Sequence, residues 1–179
     1  ALITRILILK SDIPLFETTA DNLGFLCASG KYLLEIQADM EMTQIGYNNT
    51  LLIPFLKNNK IIGISGRCCH SQSDHSHGIG KLGLNVTKSL SELPHIDKSC
   101  YYIGETCNRG PLLLDKDKVS KLGYLDEVNY FLFNSDHDLF ARAYHNYEWL
   151  CGYVPIDFYT KPEEGSTRKQ KDPKNQMMY

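Results

Sequence analysis

Residues 32–41 read Tyr-Leu-Leu-Glu-Ile-Gln-Ala-Asp-Met-Glu, an apolar and β-prone run that ends in two carboxylates spaced two positions apart. At the mouth of a strand, Asp39 and Glu41 can converge on one hard divalent cation, because Mg²⁺ and Mn²⁺ prefer oxygen ligands and often bridge to a diphosphate. Open α/β sheets place their ligands beyond the C-terminal ends of the strands. The run therefore predicts a metal–phosphate site at the end of a sheet strand, and the alternative is a solvated turn.

The composition is that of an ordinary soluble domain. The chain has 179 residues, 42% of them apolar and 22% charged, which is enough for one core. Its net charge of −2 gives no overall field that favours nucleic acid. No apolar run approaches the roughly 18–20 residues of a membrane span. The six cysteines match no zinc ribbon or disulfide scaffold. We therefore expect free thiols in a reducing compartment, the cytoplasm, with the Golgi or ER lumen as the alternative.

Hydrophobic periodicity predicts alternating strands and helices in the first part of the chain, which is typical of α/β layering. The predicted elements there are a strand at Leu2–Lys10, a helix at Glu17–Ser29, a strand at Tyr32–Ala38, a helix at Asn48–Asn58 and a strand at Ile61–Arg67. A long polar excursion then covers Cys68–Lys98, with a short helix near Ser89–Leu93. The later predicted elements are strands at Tyr101–Gly104 and Pro111–Leu114, helices at Asp115–Leu122 and Asp136–Trp149, and a strand at Tyr153–Tyr159.

A second set of motifs lies in the later half of the chain. The turn Asn108-Arg109-Gly110 precedes an apolar strand, Gly123-Tyr124-Leu125-Asp126-Glu127 follows a short helix, and Ser135-Asp136-His137-Asp138-Leu139 opens a long one. Upstream stand Thr18–Asn22, Gly24, Ala28, Gly30 and the run at 32–39. In this order and spacing the chain, over roughly residues 17–150, resembles the family 2 glycosyltransferases of the GT-A fold. Asp39-Met40-Glu41 then stands where the Asp-x-Asp motif of that family would be.

The resemblance implies an α/β fold with a GT-A-like mixed, mostly parallel sheet flanked by helices. It implies transfer of a sugar from a UDP- or GDP-linked donor to a hydroxyl of a glycan or another acceptor. Mn²⁺ or Mg²⁺ on Asp39 and Glu41 would absorb charge on the leaving diphosphate. Inversion by direct displacement is implied, with Asp136 as the base. Asp136 would lie at a helix N-terminus, where the dipole favours the carboxylate, and its alternative role is that of an N-cap.

The other site residues are polar side chains near these motifs. The expected donor-binding residues are Gln37, Asp39, Arg168 and Lys169, and the expected acceptor-binding residues are Arg67, His70, Arg109 and Asp138. The two basic side chains at 168 and 169 would neutralise the diphosphate. We expect residues 1–160 to form the transferase domain and residues 161–179 a flexible basic tail.

Three departures from the family pattern leave other functions open. Glu41 replaces an Asp, and Ser135 stands in place of an acidic residue. The two strands and the helix that normally hold the nucleotide base have no counterpart before Leu2–Lys10, so we expect a truncated or processed chain. The missing segment and the Ser135 departure favour a non-catalytic nucleotide- or sugar-binding remnant as the first alternative. The second alternative is a zinc-binding domain that uses the Cys and His residues of the 68–77 loop.

Overall fold

The computed structural model describes residues 5–13, 15–70, 81–83, 97–131 and 134–160. Four helices and ten strands follow one another along this part of the chain. In order they are α1 Glu17–Cys27, β1 Tyr32–Glu35, β2 Met40–Glu41, α2 Tyr47–Lys57, β3 Ile61–Ser65, β4 Cys68–His70, β5 Lys81–Gly83, β6 Tyr102–Gly104, β7 Thr106–Cys107, β8 Leu112–Asp115, α3 Lys116–Lys121, α4 Ser135–Tyr147, β9 Leu150–Tyr153 and β10 Tyr159–Thr160.

The main sheet is mixed and has the strand order β1-β8-β3-β9-β6. Strands β1, β3 and β9 run in one direction, and β3 and β9 pair in parallel. Strand β8 lies between β1 and β3 and is antiparallel to both, and β6 is antiparallel to β9. The predicted α/β class with a mixed sheet is therefore confirmed. The expected mostly parallel pairing is wrong for the described strands, because β8 lies antiparallel between β1 and β3 and β6 is antiparallel to β9.

Helices cover both faces of this sheet because successive strand residues point to opposite sides. In β8, Leu113 packs with Leu51 and Phe55 of α2 on one face. Leu114 packs with Phe140 of α4 on the other face. Burial of each such side chain contributes about 1.5–3 kcal/mol, so the two apolar layers hold the sheet between the helices.

Two short sheets extend the main one near the ends of its strands. Strand β2 pairs with β10, with Glu41 opposite Tyr159. Strand β4 pairs with both β5 and β7, with Cys69 opposite Cys107. The expected loop at Cys68–Lys98 therefore begins with strand structure, while its predicted helix near Ser89–Leu93 lies outside the described residues.

Two predicted strands differ from the structure. Residues 5–10 of the predicted strand Leu2–Lys10 have no regular structure, and Ile6 and Ile8 are 78% and 73% exposed. In the part of the chain that the structure describes, no strand pairs with this segment, and an apolar run forms a strand when it finds a partner and a core to cover. The predicted strand Tyr153–Tyr159 is divided, since β9 ends at Tyr153 and Pro155, which cannot donate to a ladder, follows. Among the described helices, none is long and apolar enough to cross a membrane.

Candidate functional site

The turn after β1 lies against the turn before β8. Met40 donates its backbone N–H to the carbonyl of Gln37 at 3.0 Å, which closes the first turn. Gly110 has φ +53°, and a Cβ there would lie 2.9 Å from the Met40 side chain and 3.0 Å from that of Gln37. Glycine at this position therefore permits both the left-handed backbone and the close contact of the two turns.

Arg109, the residue before this glycine, is 6% exposed and connects three elements. Its guanidinium donates to Asp21 of α1 at 2.6 Å and to the Ser135 hydroxyl at the start of α4. It also lies 3.7 Å from Glu17. The backbone N–H of Arg109 donates to Asp136 at 3.2 Å. One arginine thus joins α1, the turn before β8 and the first turn of α4.

Glu35, at the end of β1, faces the same region from the sheet. Both of its carboxylate oxygens are buried and have no hydrogen-bond partner among the described residues. One carboxylate oxygen each from Glu17, Asp21 and Glu35 lie within 4.8 Å of one another. We call these three residues the acidic cluster. Their oxygen donors suit a hard cation such as Mn²⁺ or Mg²⁺, and the unbonded Glu35 oxygens leave coordination capacity that Arg109 does not use.

The pKa values in the acidic cluster reflect its surroundings, in which one positive group, the Arg109 guanidinium, faces several carboxylates. Burial raises the pKa of Asp21 from 3.8 to about 7; Arg109 opposes this rise, and Glu17 and Asp136 add to it. Burial also raises the pKa of Glu35 well above its usual range, with Asp21 adding to the effect. The 2.6 Å ion pair between Asp21 and Arg109 would by itself lower the pKa of Asp21. Desolvation and like charges outweigh it, so the site can take up protons or a further cation near neutral pH.

Three of the residues predicted from the sequence meet in this region. Gln37 donates its side-chain amide to Glu17 at 2.5 Å, and Glu17 lies beside the Arg109 guanidinium, whose backbone contacts Asp136. Asp136 is 8% exposed, and its other carboxylate oxygen accepts the N–H of His137 at 2.9 Å. The N-cap of α4 is Asn134, so Asp136 belongs to the first turn and not to the cap.

The other predicted acceptor residues have separate surroundings. Asp138 pairs with Arg142 at 2.7 Å within α4. His70 is hydrogen-bonded to the Asn108 side chain, and its ring centroid lies 5.3 Å from that of His137. Arg67 is partly buried, and its Nε has no hydrogen-bond partner in the described structure.

The two predicted metal ligands lie at the short strand β2. Asp39 lies in the turn that precedes this strand, and Glu41 is exposed within it. Arg168 and Lys169 lie outside the described residues, as do His75 and His77 of the proposed zinc loop. These assignments stay predictions.

The acidic cluster is not among the residues predicted from the sequence, although two signals for it exist there. Glu35 follows Leu33 by two positions in an apolar strand, which places a carboxylate on a buried face. Glu17 and Asp21 are one helical turn apart on α1 and so share a face.

The mixed sheet and its flanking helices form an α/β fold that is similar to the GT-A glycosyltransferase fold. No protein-family model matches the chain, and no curated protein matches it either. The crystal structure of GalNAc-T7 with UDP, GalNAc and Mn²⁺ has a similar fold, with a TM-score of 0.60 and 13% sequence identity. The match covers 85% of this chain but 31% of that one, so the chain spans about a third of that protein. At this identity the similarity concerns the fold alone.

Proposed function

We propose that the protein transfers a sugar, with inversion, from a nucleotide-sugar donor to an acceptor hydroxyl, with the help of a divalent cation. The observation that carries this proposal is the network that links Gln37, Arg109 and Asp136 in a fold similar to that of a glycosyltransferase. The sequence had assigned these residues, independently of any structure, to the donor, the acceptor and the base.

The donor diphosphate would bind at the turn after β1. Gln37 and Asp39 lie in this turn, and Arg168 and Lys169 would supply positive charge from the C-terminal segment. Bound Mn²⁺ or Mg²⁺ supplies neutralisation of the diphosphate leaving group. Asp39 and Glu41 are the proposed ligands, and the acidic cluster is a second candidate because its three carboxylates can share one ion.

Asp136 would serve as the base for the acceptor. The acceptor hydroxyl oxygen forms a bond to the anomeric carbon, the bond from that carbon to the diphosphate breaks, and the hydroxyl proton passes to the Asp136 carboxylate. The N–H groups of Arg109 and His137 fix both oxygens of this carboxylate and so orient it. Arg109 and Asp138 would hold the acceptor, together with Arg67 and His70.

Calorimetric titration of UDP and GDP, with and without Mn²⁺, tests the donor site. We expect one nucleotide to bind the wild-type protein only with Mn²⁺. Loss of this binding in Asp39→Asn but not in Glu35→Gln would assign the ion to the turn after β1, and the reverse would assign it to the acidic cluster. If neither nucleotide binds under any metal condition, the proposed function is wrong.

The catalytic step is tested separately with Asp136→Asn. We expect this variant to bind nucleotide as the wild type does while its rate of donor hydrolysis or transfer falls by about 10²-fold or more, since general base catalysis contributes typically 10²–10⁴-fold. Asp117→Asn, at an exposed carboxylate of α3, is the control. A wild-type protein that binds nucleotide but never turns over would instead be the non-catalytic remnant.

Zinc analysis decides the remaining alternative. A zinc-binding domain would carry stoichiometric zinc and lose structure on chelation. Cys68 and His70, two described residues of that loop, both form hydrogen bonds with the Asn108 side chain. Stoichiometric zinc without nucleotide binding would favour a zinc-binding domain over a sugar transferase.

A further inference from the structure

A cleft of about 790 Å³ lies between α4 and the strands β6 and β7. This volume falls within the range of small-molecule binding sites. The cleft begins beside His137 and Asp138, which follow the proposed base in sequence, and extends along α4 to Trp149. None of the sequence motifs assigned a ligand to the part of the cleft beyond Asp138.

Aromatic rings and hydrogen-bonding groups both line the cleft. Tyr144 is 56% exposed, and its ring makes an edge contact with His145, with a centroid separation of 6.1 Å and an interplanar angle of 71°. Trp149 is held in place by stacking on Tyr147 at 4.2 Å and 15°. His137 and His145 add imidazole nitrogens along the same helix face. Such walls suit a ligand with apolar faces and polar edges.

Thr106 of β7 gives a second, independent indication of a ligand. It lines the cleft and is 6% exposed, and in the part of the chain that the structure describes its hydroxyl has no hydrogen-bond partner. A buried hydroxyl without a partner costs free energy, so a site that retains one gains when a ligand oxygen supplies the missing bond. Removal of this hydroxyl should therefore affect binding more than folding.

We propose that this cleft binds the acceptor, and that the acceptor is a carbohydrate. A pyranose ring has an apolar C–H face that can lie on Tyr144 and equatorial hydroxyls that can reach the imidazoles of His137 and His145. The inference rests on the proposed function for the role of the ligand as acceptor. Two predicted acceptor residues agree with it, since Asp138 lines the cleft and His70 lies against His137.

Trp149 is the one tryptophan of the chain, and it lines the cleft. Its fluorescence therefore reports on ligands there. Lactose, maltotriose and triacetylchitotriose would be titrated into the whole protein without nucleotide or metal, alongside a serine-containing peptide. We expect at least one oligosaccharide to give a saturable change with millimolar affinity, and the peptide to give none.

Two variants and one control test the placement. Tyr144→Ala should lower the affinity for the oligosaccharide about tenfold, because one aromatic contact is lost. Thr106→Val should lower the same affinity severalfold without lowering the melting temperature, since this substitution removes an unpaired hydroxyl and keeps the shape of the side chain. Asn146→Ala, exposed on the same helix and outside the cleft, should leave affinity unchanged. The proposal is overturned if no oligosaccharide saturates, if only the peptide does, or if both cleft variants bind as tightly as the wild type.

The experiments distinguish a failure of the carbohydrate-binding proposal for the cleft from a failure of the proposed transferase function. Hydrolysis of a UDP-sugar in Mn²⁺ without saturable sugar binding would leave the transferase intact and refute the cleft. Saturable sugar binding that Tyr144→Ala weakens, in a protein that binds neither UDP nor GDP, would leave a carbohydrate site and refute the transferase.

Discussion

Asp21→Asn should flatten the pH dependence of stability. The pKa of Asp21 is about 7 in the folded protein against 3.8 for an unperturbed aspartate. The folded state therefore binds more protons than the unfolded state between these two values. The contribution of this group to stability is present in full below pH 4 and is lost as the pH rises to about 7.

The size of the effect follows from the two pKa values. Each pH unit between them changes the free energy of unfolding by about 1.4 kcal/mol, which gives about 4 kcal/mol over the whole window and about 3 kcal/mol between pH 5 and 8. Glu35 acts in the same direction, because its pKa is also raised by burial and by Asp21. In the variant the Asp21 contribution disappears and that of Glu35 becomes smaller.

Urea unfolding at pH 5, 6, 7 and 8 measures this difference. The wild type should lose about 3 kcal/mol more than Asp21→Asn across the series, whereas the histidines, common to both proteins, cancel in the comparison. Asp117→Asn, at an exposed carboxylate, should keep the wild-type pH dependence. Parallel curves for the wild type and Asp21→Asn would refute the reasoning, since Asp21 would then be ionised at no cost in the folded state.

Two further substitutions test the packing around the site and the sheet. Arg109→Met should destabilise the protein by about 3–5 kcal/mol at pH 8, because it leaves the ionised Asp21 carboxylate without its counterion. The loss should be smaller at pH 5, which lies below the Asp21 pKa of about 7. Exposed Arg5→Met is the control in the same urea series, and an equal loss at both pH values would contradict the argument. Gly152→Ala would place a Cβ 2.1 Å from the backbone carbonyl oxygen of Tyr102. We therefore expect the free energy of unfolding to fall by about 1–3 kcal/mol and the melting temperature to decrease. The control is Gly24→Ala, which has open space around it and should be as stable as the wild type or more stable.

The helices and the central strands follow from local sequence pattern. Leu51 and Phe55, or Leu139, Phe140 and Ala143, recur at helical spacing, and the structure places them on the buried faces of α2 and α4. Such patterns determine an element because each depends on residues within one or two turns of one another. The order of elements and their α/β layering could therefore be predicted.

Strand pairing depended on more distant parts of the chain. Residues 5–10 are as apolar as β3, yet they form no strand, and none of the described strands pairs with them. The insertion of β8 makes two of the four adjacent pairs of the main sheet antiparallel, and the pairing of β6 with β9 adds a third. A strand's own residues set its tendency to extend, while its neighbours depend on which segments return to the sheet.

The candidate site likewise depends partly on the local sequence and partly on the tertiary structure. The sequence by itself determined which residue types were available, and it singled out Gln37, Arg109 and Asp136 from their motifs. Only the tertiary structure decided that Arg109 would join Asp136 to Glu17 and Asp21, residues about ninety positions or more away, and that Glu35 would face them from β1. The physical reason is that burial and charge at a site are sums over neighbours in space, and a shifted pKa such as that of Asp21 exists only once those neighbours have been brought together.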